Sequence, residues 1–165
     1  MVSFPMSAFL CVAVLCTVAL VSGQPQIHEF CQGSCPTGWA SFNGRCFQYF
    51  TLEKDWAEAE SHCVSLGGHL ASVHSEEENN FVKKLTLSYN PSDGRFWLGL
   101  TDCYKEGTWR WSDGTETDFT EWNPSEPNNA NGGENCLLPD ARSKWNDARC
   151  PIGYRFMCAL QPEAK

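Results

Sequence analysis

The chain has 165 residues, with 12 basic and 20 acidic side chains and a formal net charge of -8. Such a field repels phosphate backbones and anionic lipid surfaces, which sets nucleic acid aside as a partner. Aliphatic and aromatic residues suffice for one core, and no linker-like stretch separates two domains.

Residues 1–23 read as a secretory signal peptide. An apolar run from Ala8 to Val21 carries no charge and ends in Val21-Ser22-Gly23, small residues suited to signal peptidase. The run is shorter than the roughly 20 residues a spanning helix needs. No other segment of the sequence could span, so the expected product is secreted and extracellular, with no membrane span. Of the ten cysteines, Cys11 and Cys16 fall in this signal, leaving eight: Cys31, Cys35, Cys46, Cys63, Cys103, Cys136, Cys150 and Cys158. An even number in an exported chain suits disulfides. Zinc is the competing use, but no short Cys-x-x-Cys pair is repeated or answered by histidines.

Residues 24–34 form a short N-terminal segment ahead of the domain expected at 35–160. Pro36, Gly38 and Gly44 around Trp39 and Phe42 suggest a hairpin, followed by a strand at Phe47-Gln48-Tyr49-Phe50. Asp55 with Glu58 three residues on marks a helix start. Trp56, Ala59, Cys63 and Leu66 then fall at helical spacing until Gly67-Gly68. A second capping pair, Ser75 and Glu78, opens a helix carrying Phe81, Val82 and Leu85 on one face and ending before Asn90-Pro91. Strand candidates follow at Phe96–Leu100, Thr108–Trp111, Lys144–Asp147 and Tyr154–Cys158, with a turn at Ser112-Asp113-Gly114. The order of elements gives a mixed α+β fold class.

From Thr115 to Glu134 there is no periodicity, and a loop of that length inside a compact domain is functional or disordered. It contains Glu126-Pro127-Asn128-Asn129 and Glu134-Asn135, and the next strand candidate contains Asn146-Asp147. Carboxylates and carboxamides recur here without histidine or free thiolate, so the donors are all oxygen and suit a hard cation. Calcium accepts six to eight oxygens, amides included, in a flexible shell, whereas magnesium demands a tighter octahedron. Taken alone, such residues are also ordinary in a solvated turn. The histidines His28, His62, His69 and His74 are scattered, and no Ser-His-Asp or Cys-His arrangement is signalled.

The wider pattern decides between these readings. Cys35-Pro36-x-Gly38-Trp39, Trp56-x-x-Ala59-x-x-x-Cys63, Gly67-Gly68-His69-Leu70-Ala71-Ser72-Val73, Trp97-Leu98-Gly99-Leu100, Trp111-Ser112-Asp113-Gly114, Trp122 and Trp145-Asn146-Asp147 are spaced as in C-type lectin-like domains. From Cys35 to Cys158 the chain resembles that family. The resemblance implies a disulfide-stapled α+β fold of two helices and small antiparallel sheets with a long calcium-binding loop. It also implies the bridges Cys35–Cys46, Cys63–Cys158 and Cys136–Cys150, the last worth about 3 kcal/mol by loop entropy.

In the family, the position of Glu126-Pro127-Asn128 carries Glu-Pro-Asn in mannose-type binders and Gln-Pro-Asp in galactose binders. The resemblance therefore implies a lectin for mannose-type carbohydrate on microbial or self surfaces, with no enzyme activity and Ca2+ as cofactor. Glu126, Asn128, Glu134, Asn146 and Asp147 would be the metal ligands, Pro127 would be cis, and Glu126, Asn128, Glu134 and Asn146 would meet two vicinal hydroxyls. A second, auxiliary ion would use Asp102, Glu106, Asn129, Glu134 and Asn135, where two amides replace acids and lower the charge. Cys31 and Cys103 lie outside the three bridges; pairing with each other and cross-linking a homo-oligomer both stand open. The competing function is a non-sugar binder on the same scaffold, such as an ice-binding relative of the type II antifreeze proteins.

Overall fold

The computed structural model describes residues 35–161; the signal peptide, the segment 24–34 and Cys31 lie outside the described residues. Strands β1 (Ala40–Phe42) and β2 (Arg45–Lys54) form the expected hairpin. Asn43 and Gly44 turn it with φ of 44° and 77°, the positive pair that matches the twist of a two-residue hairpin loop. Cys35 bridges to Cys46 and closes it.

Helix α1 (Trp56–Ser65) begins as its sequence dictates, with the Asp55 carboxylate accepting from Glu58 N at 2.8 Å. It ends where Gly67 adopts a φ of 85°, and the Gly67 and Gly68 N–H groups close on Val64 O and Cys63 O. Strand β3 (His69–Leu70) follows. Helix α2 (Glu76–Tyr89) has Ser75 as N-cap and stops at Asn90, before Pro91. The remaining strands are β4 (Leu100–Thr101), β5 (Arg110–Trp111), β6 (Cys136–Pro139), β7 (Trp145–Ala148) and β8 (Tyr154–Leu160).

Two antiparallel four-stranded sheets result, ordered β1-β2-β8-β3 and β5-β4-β6-β7. The segment Phe96–Leu100 is a strand only at its end. Trp97 instead makes one parallel bridge to Phe156, with its N–H on Arg155 O and its carbonyl accepting from Met157 N. This segment stitches the two sheets together. Gly99 has its N–H on Ala71 O, and a Cβ there would meet Leu70 O at 2.6 Å. The Thr108–Trp111 strand likewise shrinks to two residues.

Phe47, Val82, Leu98, Leu100, Leu137 and Trp145 fill one apolar cluster, and Leu70, Trp97, Phe156 and the Cys63–Cys158 bridge fill another. Between β5 and β6, residues 112–135 have no regular element, as the sequence indicates, and Cys136–Cys150 pins the end of this loop to the segment after β7. All three family bridges are present. Among the described residues no helix is long and apolar enough to cross a membrane.

Candidate metal and carbohydrate site

The long loop is laid against β7 by backbone bonds. Trp145 N donates to Glu121 O at 2.8 Å and Asn123 N to Trp145 O at 2.8 Å, a short parallel bridge beside Trp122. Trp145 itself is fully buried, and its Nε1 donates to Asn79 Oδ1 of α2 at 3.1 Å. Asn79 and Lys83 both donate to Glu121 Oε2, at 2.6 and 2.5 Å. Helix α2 thus holds both the loop and the strand that carries Asn146 and Asp147. Sequence reading did not single out Asn79 or Glu121, because these contacts span 42 and 66 residues and leave no local pattern.

Three residues beyond Asn123 the Glu126-Pro127 bond is cis, as the motif implies. Asp147, completely buried, accepts from Asn128 N at 3.1 Å through Oδ1 and from Asn129 N at 2.6 Å through Oδ2. Glu134 folds back on the same turn, its Oε2 accepting from Ala130 N at 3.0 Å while its own N–H donates to Asn129 Oδ1 at 3.0 Å. Asn146 Nδ2 donates to Asp147 O. Glu126, Asn128, Glu134, Asn146 and Asp147 therefore belong to one hydrogen-bonded neighbourhood.

One oxygen in it has no partner: Glu126 Oε2 is buried and unpaired. Partial desolvation, together with the Asp147 and Glu134 carboxylates, pushes Glu126 above the usual carboxylate range, against a smaller opposing pull from Asn128. Glu126 as a whole is only partly buried, and a cation beside this oxygen would ease the repulsion from the neighbouring carboxylates. The donor set, three carboxylates and two amides, is oxygen throughout and fits calcium. The three carboxylates do not all come within 4.8 Å of one another. Asn128 and Asn146 would supply the two amide oxygens of such a set.

The auxiliary set is arranged differently. Asn135 Nδ2 donates to Asp102 Oδ1 at 2.9 Å, and Asn129 Nδ2 donates to Glu106 Oε2 at 2.6 Å. The orientation of Asn129 is fixed, because its Oδ1 already accepts from Glu134 N. Amide hydrogens sit against the carboxylates where a cation would have to stand. Asp102 also accepts from Gly107 N at 2.7 Å through Oδ2, so its charge is largely satisfied within the fold.

Cys103 is exposed and makes no disulfide to a described residue; its Sγ lies 3.6 Å from Cys150 Sγ. The sulfurs of Cys103, Cys136 and Cys150 all lie within 4.8 Å of one another, but two of them are already joined. The pairing of Cys103 with Cys31 falls outside the described residues.

A Ser-His-Asp geometry that the sequence did not signal also appears. His74 lies 3.1 Å from Ser72 Oγ through Nε2 and 2.8 Å from Asp118 Oδ1 through Nδ1. Ser72 is fully buried, its hydroxyl donates to Asp113 Oδ2 at 2.5 Å, and Arg45 Nη2 donates to its oxygen at 2.8 Å. That hydroxyl is held as a structural bridge and has no open approach for a substrate.

A family model described as the lectin C-type domain matches residues 52–160. Among the most similar relatives is the lactose-binding lectin l-2 of Anguilla japonica, 43% identical over 98% of this chain and 98% of its own. A C-type lectin mannose-binding isoform of Oxyuranus scutellatus is 38% identical over 88% of this chain and 95% of its own. Among solved structures, herring type II antifreeze protein superposes with a TM-score of 0.71 at 37% identity, covering 78% of this chain and 100% of that one. Fold, bridges and sequence agree: the chain belongs to the C-type lectin domain family.

Proposed function

We propose that this is a secreted, calcium-dependent lectin that takes mannose-type sugars at Glu126, Asn128, Glu134 and Asn146. The observation that carries the reading is the buried, partnerless Glu126 Oε2 set among the Asp147 and Glu134 carboxylates. A calcium ion held there would supply the missing countercharge and could take two vicinal hydroxyls of a sugar. Beside it, each carboxylate would accept a hydrogen bond from a hydroxyl and each amide NH₂ would donate one to a hydroxyl oxygen, with Glu126 paired to Asn128 and Glu134 to Asn146. Equatorial 3- and 4-hydroxyls meet that order, and exchanging acid for amide at the first pair reverses it. Asp147 acts mainly by holding the Asn128–Asn129 turn through two backbone N–H groups.

Few contacts reach a single sugar, so affinity for one residue is on the order of millimolar and avidity supplies the rest. Residues 1–23 serve as the export signal, residues 35–160 as the lectin domain, and Cys31 or Cys103 as the means of linking chains. The auxiliary set of Asp102, Glu106, Asn129, Glu134 and Asn135 stays closed by its own amides, so one ion binds per chain.

The test is retention on immobilised mannose with calcium and release by a chelator. Retention that survives the chelator removes the mechanism. A second reading, β-galactoside binding, is favoured by the relative named for lactose; Glu126→Gln with Asn128→Asp distinguishes them, since only a mannose-type site gains galactose preference on that exchange. Ice binding, motivated by the antifreeze likeness, predicts activity in an ice-recrystallisation assay instead.

A further inference from the structure

A cavity of about 360 Å³ opens beside the proposed sugar site, lined by Glu134 and Asn146 themselves and then by Arg149, Lys144, Arg95 and Asp140. Its size falls within the range of small-molecule clefts, about 300–1,000 Å³. In a chain of formal charge -8, this cavity is lined by three cations against two carboxylates, Glu134 and Asp140, so its lining is net positive.

The cations are not equally committed. Arg95 is engaged, with Nε 3.1 Å from Asp93 Oδ1 and its guanidinium 5.4 Å above the Tyr154 ring. Among the described residues, neither Lys144 nor Arg149 has a carboxylate oxygen within 4.0 Å. Both are exposed. Arg149 is placed against the ligand loop: a Cβ built on Gly133 would lie 3.7 Å from its Nε and 3.8 Å from its Nη2. Its fork of donors therefore stands beside Gly133, the residue before Glu134. Asp140 is partly spent on its own turn, accepting from Arg142 N at 2.9 Å.

We propose that this cavity is an anionic subsite, in which Arg149 and Lys144 receive a sulfate or carboxylate substituent of the glycan whose diol is anchored between Glu126 and Asn146. The inference rests on the lectin reading given above and names its ligand class more closely: acidic glycans are preferred over neutral ones. With a 4-hydroxyl seated between Glu134 and Asn146, which also line this cavity, a substituent on the neighbouring C5–C6 arm would have an anionic group within reach of a planar guanidinium suited to two-point recognition. Tyr154 and Ile152 on the same wall offer apolar surface to the sugar ring.

The experiment measures inhibition of binding to immobilised mannose by two matched pairs that keep the 3,4-diol: N-acetylglucosamine with its 6-sulfate, and glucose with glucuronic acid. The acidic member of at least one pair should inhibit at about fivefold lower concentration, the scale of one or two exposed ionic contacts. Which pair shows the gain identifies the anion. High salt should erase it. The advantage should vanish in the double variant Lys144→Gln, Arg149→Gln, while the neutral sugars inhibit as before.

Equal inhibition within both pairs overturns the subsite and leaves the lectin reading standing. Inhibition by none of the four overturns both. An advantage that persists in the double variant removes the assignment to these two residues. If Arg149 served only to offset Glu134, Arg149→Gln would tighten calcium binding and leave the acidic preference unchanged, and that outcome too defeats the proposal.

Discussion

The sheet β1-β2-β8-β3 and the ligand loop 112–135 are built on opposite principles. The sheet and its helices rest on buried apolar side chains, with Phe47, Trp97, Phe156 and the half-cystines Cys63 and Cys158 fully inaccessible. The loop has few buried side chains and is held by polar bonds to Asp147, Glu134 and Glu121. Apolar packing is indifferent to ions, whereas a loop tied by carboxylates responds to whatever compensates their charge. The scaffold should therefore keep its shape when calcium is removed, and the loop should lose definition.

The largest effect that sharpens this contrast comes from the scaffold. Trp97→Ala empties a site with 0% exposure and strips Lys54 O of its indole donor at 3.1 Å, costing about 3–5 kcal/mol of stability. Urea unfolding measures it, and the loss should be the same with calcium and with chelator. A loss that depended on the ion would break the division between the two regions. Next in size is Asp147→Asn. An amide keeps one acceptor oxygen where two backbone N–H groups now bond, so one is orphaned at a cost of about 1–3 kcal/mol. Calcium titration should fall by at least about tenfold, the equivalent of ~1.4 kcal/mol. Unchanged calcium binding would detach Asp147 from the site.

How much of this was legible beforehand depends on whether the cause was local. Both helices were, because Asp55 with Glu58 and Ser75 with Glu78 are capping pairs written within four residues, and the Gly67 terminator sits beside them. The site's oxygen donors were legible as a concentration of residue types, although the bridges came only with the family likeness, since eight cysteines allow many pairings. Strand β6 was missed: Cys136–Pro139 is buried on both faces, so no alternation marks it. The Asn79 link to Trp145 and the Ser72, His74 and Asp118 cluster were illegible because their partners are far apart in sequence and meet only through the tertiary fold.

Acid should separate the regions by a smaller margin. Burial alone would raise Asp113, but hydrogen bonds from Ser72 and Thr115, with the Arg45 charge beyond, hold it below the usual carboxylate range. A carboxyl depressed on folding contributes stability that is full above its unfolded pKa and disappears as pH falls through the folded one. Below the ordinary carboxylate range, the turn Ser112–Gly114 should therefore loosen from Ser72. Asp113→Asn should flatten this acid limb of the stability curve, measured by thermal unfolding at stepped pH, and an unaltered limb would place the acid sensitivity elsewhere.

The finest division within the loop lies at the auxiliary set. Asn129→Asp with Asn135→Asp replaces two donors facing Glu106 and Asp102 by carboxylates. Without calcium this should cost about 1–3 kcal/mol, because the buried Asp102 loses its amide donor and meets a like charge instead. With calcium they should complete a second oxygen cage, so that calorimetry counts two ions in the variant against one in the parent. The readout is a stoichiometry, which a general loosening of the loop does not mimic. Two ions in the parent would mean that the amides of Asn129 and Asn135 turn their oxygens inward when the metal arrives. The Glu134 N–H bond to Asn129 Oδ1 would then have to break, and the loop could not be ordered by that clamp.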